Sequence, residues 1–266
     1  MTTLDQELAF ARELAEAAGK VLLRHFGTGI DVQMKGWADP VTVADRESEA
    51  LIGQAIAQRF PNDGINGEED GLRAGTSGRV WLVDPLDGTA NYSGGMPIFA
   101  VVLTLIDEHE PNCALLNVTH DPIRRETFYA VRGQGAYLSD TRTDARIQAG
   151  QGTDLARALT HIHFARQRPI WEETVELARR ITAVAPHARN IGSTALAQAY
   201  VACGRLDAHV KAQSGDYDVI GGNLLVTEAG GLVTDLDGNP WRFGGSLLAA
   251  CPSIHPRLLQ IVRARE

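Results

Sequence analysis

The sequence predicts an α+β protein with an antiparallel, helix-covered sheet in its first half and alternating helices and strands in its second. Three patterns carry this reading. Two helical segments open the chain, several strand-like runs then follow with no helix between them, and strand and helix patterns alternate from Leu159 onward.

Leu4, Leu8, Ala11, Ala15, Ala18, Leu22 and Phe26 recur at steps of three and four, which predicts an amphipathic helix ending near Gly27. A second helix is expected from Asp45 to Phe60, stopped by Pro61-Asn62-Asp63-Gly64. Val80 to Val83, Phe99 to Ile106 and Cys113 to Val118 read as strands, and Glu126 to Leu138 reads as a hairpin turning at Gly133-Gln134-Gly135. In the second half, strands are expected at Leu159 to Phe164, Leu206 to Val210, Leu232 to Thr234 and Ser246 to Ala250. Helices are expected at Pro169 to Thr182, Ser193 to Cys203, Asp218 to Ala229 and His255 to Arg265. A polar stretch between Ser139 and Gly150 suggests two halves, 1–142 and 143–266.

A net charge of -8 disfavours a nucleic-acid or anionic-membrane surface, because the long-range field repels phosphate polymers. The opening residues carry no signal-peptide pattern and no apolar run approaches bilayer length, so a cytoplasmic location is expected. Cys113, Cys203 and Cys251 are expected to be buried reduced thiols. His161 and His163 alternate along one strand and share a face, which reads as packing.

Acids gather at four changes of chain direction: Asp39 to Asp45, Gly67 to Asp70, Asp84 to Thr89, and Gly215 to Asp218. Asp39, Asp70 and Asp216 read as caps and turns. The third segment says most. A buried strand runs into Asp84, Pro85 interrupts the ladder, and Asp87-Gly88 makes a tight turn into a helix with Asp87 or Thr89 near its cap. Two carboxylates and a carbonyl thus meet backbone N–H groups at a helix start, a pattern suited to a hard cation and a phosphate.

These segments resemble the motifs of the inositol monophosphatase family, part of the lithium-sensitive superfamily that also contains fructose-1,6-bisphosphatase. DPVTVAD, GEED, WLVDPLDGTANY and DYDVIGGNLLVTEAGG follow in the family's order from Lys35 to Gly231, with Tyr92 and Tyr217 replacing the usual Phe and Trp. The resemblance implies a layered αβαβα sandwich and a Mg²⁺-dependent phosphomonoesterase acting on inositol monophosphate or a similar polyol phosphate. Histidinol phosphate, a sugar bisphosphate or a nucleotide 3′-phosphate is the alternative substrate, and a non-catalytic regulatory homologue is a third reading.

By the same resemblance, two or three Mg²⁺ ions are implied. Glu68, Asp84 and the Leu86 carbonyl hold one, Asp84, Asp87 and Asp218 hold another, and a third is near Glu68. Gly88 and Thr89 open the phosphate-binding helix, Asp45 and Thr89 orient the attacking water, and Glu69 supports metal-bound waters. Lys35 matches a basic residue of a mobile loop. Gly192, Ser193 and Thr194 align with substrate contacts. Lys211 stands where inositol monophosphatases place a Glu that binds ring hydroxyls; a Lys cannot accept those bonds and suits an additional anionic group instead. Partners are expected to be a small phosphorylated metabolite and a second copy of the chain.

Overall fold

Helix α1 (Asp5–His25) buries Ala11, Ala15, Ala18 and Leu22 of the predicted stripe, with Leu4, Leu8 and Phe26 half-buried and Leu14 buried in addition. The computed structural model describes residues 4–29, 32–37, 39–110, 112–164, 168–213 and 217–264; for 39, 168, 169, 217 and 218 only the backbone is described. The predicted turns at Asp39 and Asp216 therefore lie outside the described side chains. After α1 comes a hairpin of β1 (Val32–Gly36) and β2 (Asp39–Thr42). It places Lys35 on a strand, correcting the expected loop. Helix α2 (Val43–Arg59) begins two residues before Asp45, because Thr42 and Asp45 form a reciprocal cap. Thr42 Oγ1 accepts from the Ala44 N–H at 3.1 Å, and Asp45 Oδ2 accepts from the Thr42 N–H at 2.8 Å.

There follow β3 (Gly64–Gly67), β4 (Gly71–Arg73), β5 (Arg79–Asp87), α3 (Thr89–Ser93), β6 (Ala100–Asp107), β7 (Ala114–Asp121), β8 (Glu126–Val131), β9 (Gly135–Ser139) and β10 (Asp144–Arg146). Among the described residues these strands form one sheet in the order β10-β9-β8-β7-β6-β5-β3-β4, antiparallel except for β3 beside β5. Strand β5 does not end before Pro85 as expected. It runs on to Asp87 with a shift of register against β6 between Asp84 and Asp87, so Pro85, which has no N–H to donate, falls at the irregularity.

The second half contains β11 (Leu159–His163), α4 (Arg168–Thr182), β12 (His187–Arg189), α5 (Thr194–Ala202), β13 (Ala208–Lys211), α6 (Tyr217–Glu228), β14 (Leu232–Thr234), β15 (Leu247–Ala250) and α7 (His255–Arg263). Its sheet runs β12-β11-β13-β15-β14, with β11 parallel to both neighbours.

Three apolar clusters glue the layers. Residues of α1 and α2 pack with Trp81, Leu103 and Leu116 of the first sheet. Ala197 and Val201 of α5 and Val219 and Leu225 of α6 lie between Leu82 and Phe128 of the first sheet and Leu247 and Ala249 of the second. Leu177 and Ile181 of α4 and Leu258 and Val262 of α7 cover Ile162 and Val210 on the far face. The result is the αβαβα sandwich. Cys251 is buried and Cys203 half-buried, but Cys113 is exposed, correcting the expectation of three buried thiols; it lies just before β7, outside the sheet. Among the described residues no helix is long and apolar enough to cross a membrane.

Candidate metal and phosphate site

The irregularity in β5 gathers most of the predicted residues. The Leu86 N–H donates to Asp84 Oδ1 at 2.9 Å, which turns the Asp84 carboxylate back over the chain. Thr89 Oγ1 is 3.0 Å from the Leu86 carbonyl and 3.4 Å from Asp45 Oδ1. Gly88 makes this turn possible. Its φ is +97°, and a Cβ there would come within 2.9 Å of the Ile98 carbonyl. Gly88, rather than Asp87 or Thr89, is the N-cap of the short α3.

A hydroxyl has one proton, so Thr89 cannot donate to Leu86 and Asp45 together. A protonated Asp45 resolves the conflict by donating to Thr89 Oγ1 while Thr89 donates to Leu86. Burial favours that form and pushes Asp45 up to about 6, although its two bonds from Thr42 pull the other way and Glu69 adds to the rise.

Glu68 and Glu69 follow β3. Lys35 Nζ donates to Glu68 Oε1 at 3.1 Å and to Glu69 Oε1 at 2.7 Å. Burial works against the Lys35 charge, but Glu69 and Glu68 outweigh it and hold the ammonium well above the ordinary lysine range. The segment is fixed from below by Glu49, a residue sequence reasoning missed. Its buried carboxylate accepts from the Glu69 N–H at 3.0 Å and the Asp70 N–H at 2.7 Å. Its signal was available: Glu49 falls in register with Asp45, Ile52 and Ile56 on the buried face of α2. Gly67 belongs to the same device, since a Cβ there would meet Glu49 Oε1 at 2.0 Å.

Asp87 is placed differently from expectation. It caps the distant α5, not α3: Ser193 Oγ and the Ala195 N–H donate to Oδ2, and the Thr194 N–H donates to Oδ1 at 3.2 Å. Burial raises its pKa, opposed by those donors and by Lys211. Lys211 Nζ lies 3.4 Å from Thr194 Oγ1. Gly192 takes φ +73° beside Asn91, whose amide donates to the Ile98 carbonyl at 2.9 Å and the Ile191 carbonyl at 2.7 Å. Asn91 was given no role, although it is a position of the WLVDPLDGTANY segment that carried the resemblance.

The inositol monophosphatase family model matches residues 3–266. The chain belongs to this family. It is 37% identical to the Nus factor SuhB of Xylella fastidiosa, over 84% of this chain and 80% of that protein. It is 34% identical to the inositol-1-monophosphatase of Caulobacter vibrioides, over 95% and 99%. The fold superposes on the extragenic suppressor protein suhB of Bartonella henselae with a TM-score of 0.92 and 30% identity, covering 98% of this chain and 100% of that one.

The residues present fit the metal ions on which inositol monophosphatases generally depend. The donors are hard oxygens, from the carboxylates of Glu68, Asp84 and Asp87 and the carbonyl of Leu86. One Lys35 ammonium already bridges Glu68 and Glu69, so the place attracts positive charge. Asp87 Oδ1 takes the Thr194 N–H and, as a carboxylate oxygen, has a second lone pair. Among the described residues no three Asp, Glu, His or Cys side chains stand as a ready ligand set. The remaining predicted ligand, Asp218, lies in the first turn of α6, and its side chain is outside the described residues.

Proposed function

We propose that the protein is a Mg²⁺-dependent phosphomonoesterase that hydrolyses a small polyol phosphate with water as nucleophile. The observation that carries this is the buried Asp45 carboxyl, with a pKa near 6, placed 3.4 Å from Thr89 Oγ1 beside the Asp84–Leu86 turn. A base poised near neutrality is what deprotonating a water requires. Asp45 takes the proton of a water resting on Thr89 Oγ1. The N–H groups that open α3 bind the phosphoryl oxygens, and Glu68, Asp84, Leu86, Asp87 and Asp218 hold the cations. Bound Mg²⁺ supplies neutralisation of phosphoryl charge and a more acidic water. Gly192, Ser193 and Thr194 line the substrate side.

The test is phosphate release from a panel of phosphorylated polyols, with Mg²⁺ and with EDTA, using Asp84→Asn as the control. Mg²⁺-dependent release lost in Asp84→Asn supports the reading; no release from any member rejects it. The active form on this reading is a cytoplasmic homodimer, checked by light scattering and cell fractionation.

A regulatory role is the second reading, favoured by the relatives named Nus factor SuhB. An Asp87→Asn variant that retained the full biological effect would select it.

A further inference from the structure

The carboxyl ends of β11 and β13 carry a polar strip that the chemistry above does not use. Parallel pairing sets His161 beside His209 and His163 beside Lys211. The strand period of two puts all four on the face toward α5, while Ile162 and Val210 point into the opposite core. The His161 and His209 ring centroids are 4.6 Å apart, and those of His161 and His163 are 6.4 Å apart. His161 and His209 are fully buried, and Lys211 is 4% exposed. Among the described residues, neither ring nitrogen of the buried His209 has a hydrogen-bond partner, while His161 interacts with the Asn190 side chain.

Buried polar groups without partners are costly, and they persist where something else uses them. Burial, with Lys211 adding to it and Asn190 opposing, pushes His161 down to about 4; burial and the neighbouring His161, His163 and Lys211 push His209 well below the ordinary histidine value. The imidazoles are therefore neutral near pH 7, each with one N–H to give. His163 and Lys211 end their strands beside the start of α5, where Lys211 meets Thr194 and Ser193 binds Asp87. Ligands of α/β sheets bind at this end of parallel strands.

We propose that Lys211 and His163, with His161 behind them, form a subsite for a second anionic group, phosphate or carboxylate, on the polyol whose phosphate is cleaved. The proposal rests on the phosphatase reading and narrows its substrate class. The competing account is that Lys211 only balances the charge of Asp87, and that account predicts equal effects on every substrate.

The experiment compares kcat/KM within two pairs, glycerol 2-phosphate against 2-phosphoglycerate and fructose 1-phosphate against fructose 1,6-bisphosphate. The first pair adds a carboxylate and the second a phosphate. Wild-type enzyme should favour the doubly anionic member of at least one pair by about tenfold or more, the size of one charge-assisted contact. Lys211→Met should lower that ratio by about 10- to 100-fold, and Lys211→Arg should restore most of it. No wild-type preference in either pair, or an unchanged ratio in Lys211→Met however slow that variant is, overturns the subsite. Should Lys211→Met not fold, His163→Gln gives the same reading: the ratio falls, or the subsite is rejected. If no phosphate is released at all, the phosphatase reading fails by itself. Calorimetric binding of 2-phosphoglycerate and fructose 1,6-bisphosphate then decides the subsite, which stands if Lys211→Met weakens either about tenfold and falls if binding is indifferent to residue 211.

Discussion

Replacing Asp45 with Asn separates what this carboxyl costs the fold from what it gives the chemistry. Asp45 is 1% exposed, and burial holds its pKa at about 6 against an ordinary 3.8. A carboxyl whose folded pKa is raised favours the folded state fully below the unfolded value. That advantage is lost as the pH climbs through the folded value. The window is therefore about pH 3.8 to 6. At about 1.4 kcal/mol per tenfold change in proton affinity, ionised Asp45 costs about 3 kcal/mol at neutral pH. Asn keeps an oxygen to accept the two Thr42 bonds and offers an N–H₂ to Thr89 Oγ1, so it imitates the protonated acid. Urea denaturation of both proteins in EDTA, from pH 3.5 to 8, should show little difference at the acid end. By pH 7.5 Asp45→Asn should be more stable by about 3 kcal/mol. Other titrating groups cancel in the difference. Added Mg²⁺ should shrink the gap by favouring the carboxylate, and phosphate release should fall by about 100-fold or more. A stability difference that stays constant across the pH range would refute the reasoning, because a buried titrating carboxyl must show its pKa there.

Glu49→Ala should destabilise the protein by about 2–4 kcal/mol, since two buried-side N–H groups lose a charged acceptor, and calorimetry can read this directly. Gly67→Ala should do comparable damage by forcing Glu49 out of place, while Gly67→Ala combined with Glu49→Ala should cost less than the sum of the two. Ser193→Ala should cost about 1–2 kcal/mol, because Ser193 Oγ both donates to Asp87 and accepts from the Leu196 N–H at 3.2 Å. Saturating Mg²⁺ at about 100 times its dissociation constant should add about 2.7 kcal/mol of stability, visible as a raised Tm that EDTA reverses.

The long helices were legible because their buried stripes repeat every three or four residues, and the central strands because they are continuous apolar runs. The β1–β2 hairpin was not, and the reason is physical: β1 is exposed at every residue, so burial imposes no alternation on its sequence. The far end of β5 was misread because Pro85 does break the ladder locally, yet the strand continues past it to Asp87. The site was legible as composition and order. What could not be seen was which helix Asp87 serves. Local spacing pointed to α3, two residues on, whereas its donors are in α5, more than a hundred residues away.

That placement joins the two halves of the site. Asp87 ends β5 of the first sheet, and its carboxylate holds the first turn of α5, the helix whose start also meets Lys211. Asn91 adds a second tie, binding the Ile98 and Ile191 carbonyls from one amide. The residues expected to hold cation and phosphate are therefore fixed to those expected to read the rest of the substrate, through direct hydrogen bonds and no intervening loop. A cation that used the spare lone pair of Asp87 Oδ1 would share that oxygen with the Thr194 N–H at the start of α5 and draw on the same carboxylate that Ser193 and Ala195 hold. The start of α5 would move with it, and Thr194 and Lys211 would follow. Charge brought to the first half thus has a short mechanical path to the specificity side, and Ser193→Ala should weaken discrimination between substrates as well as stability.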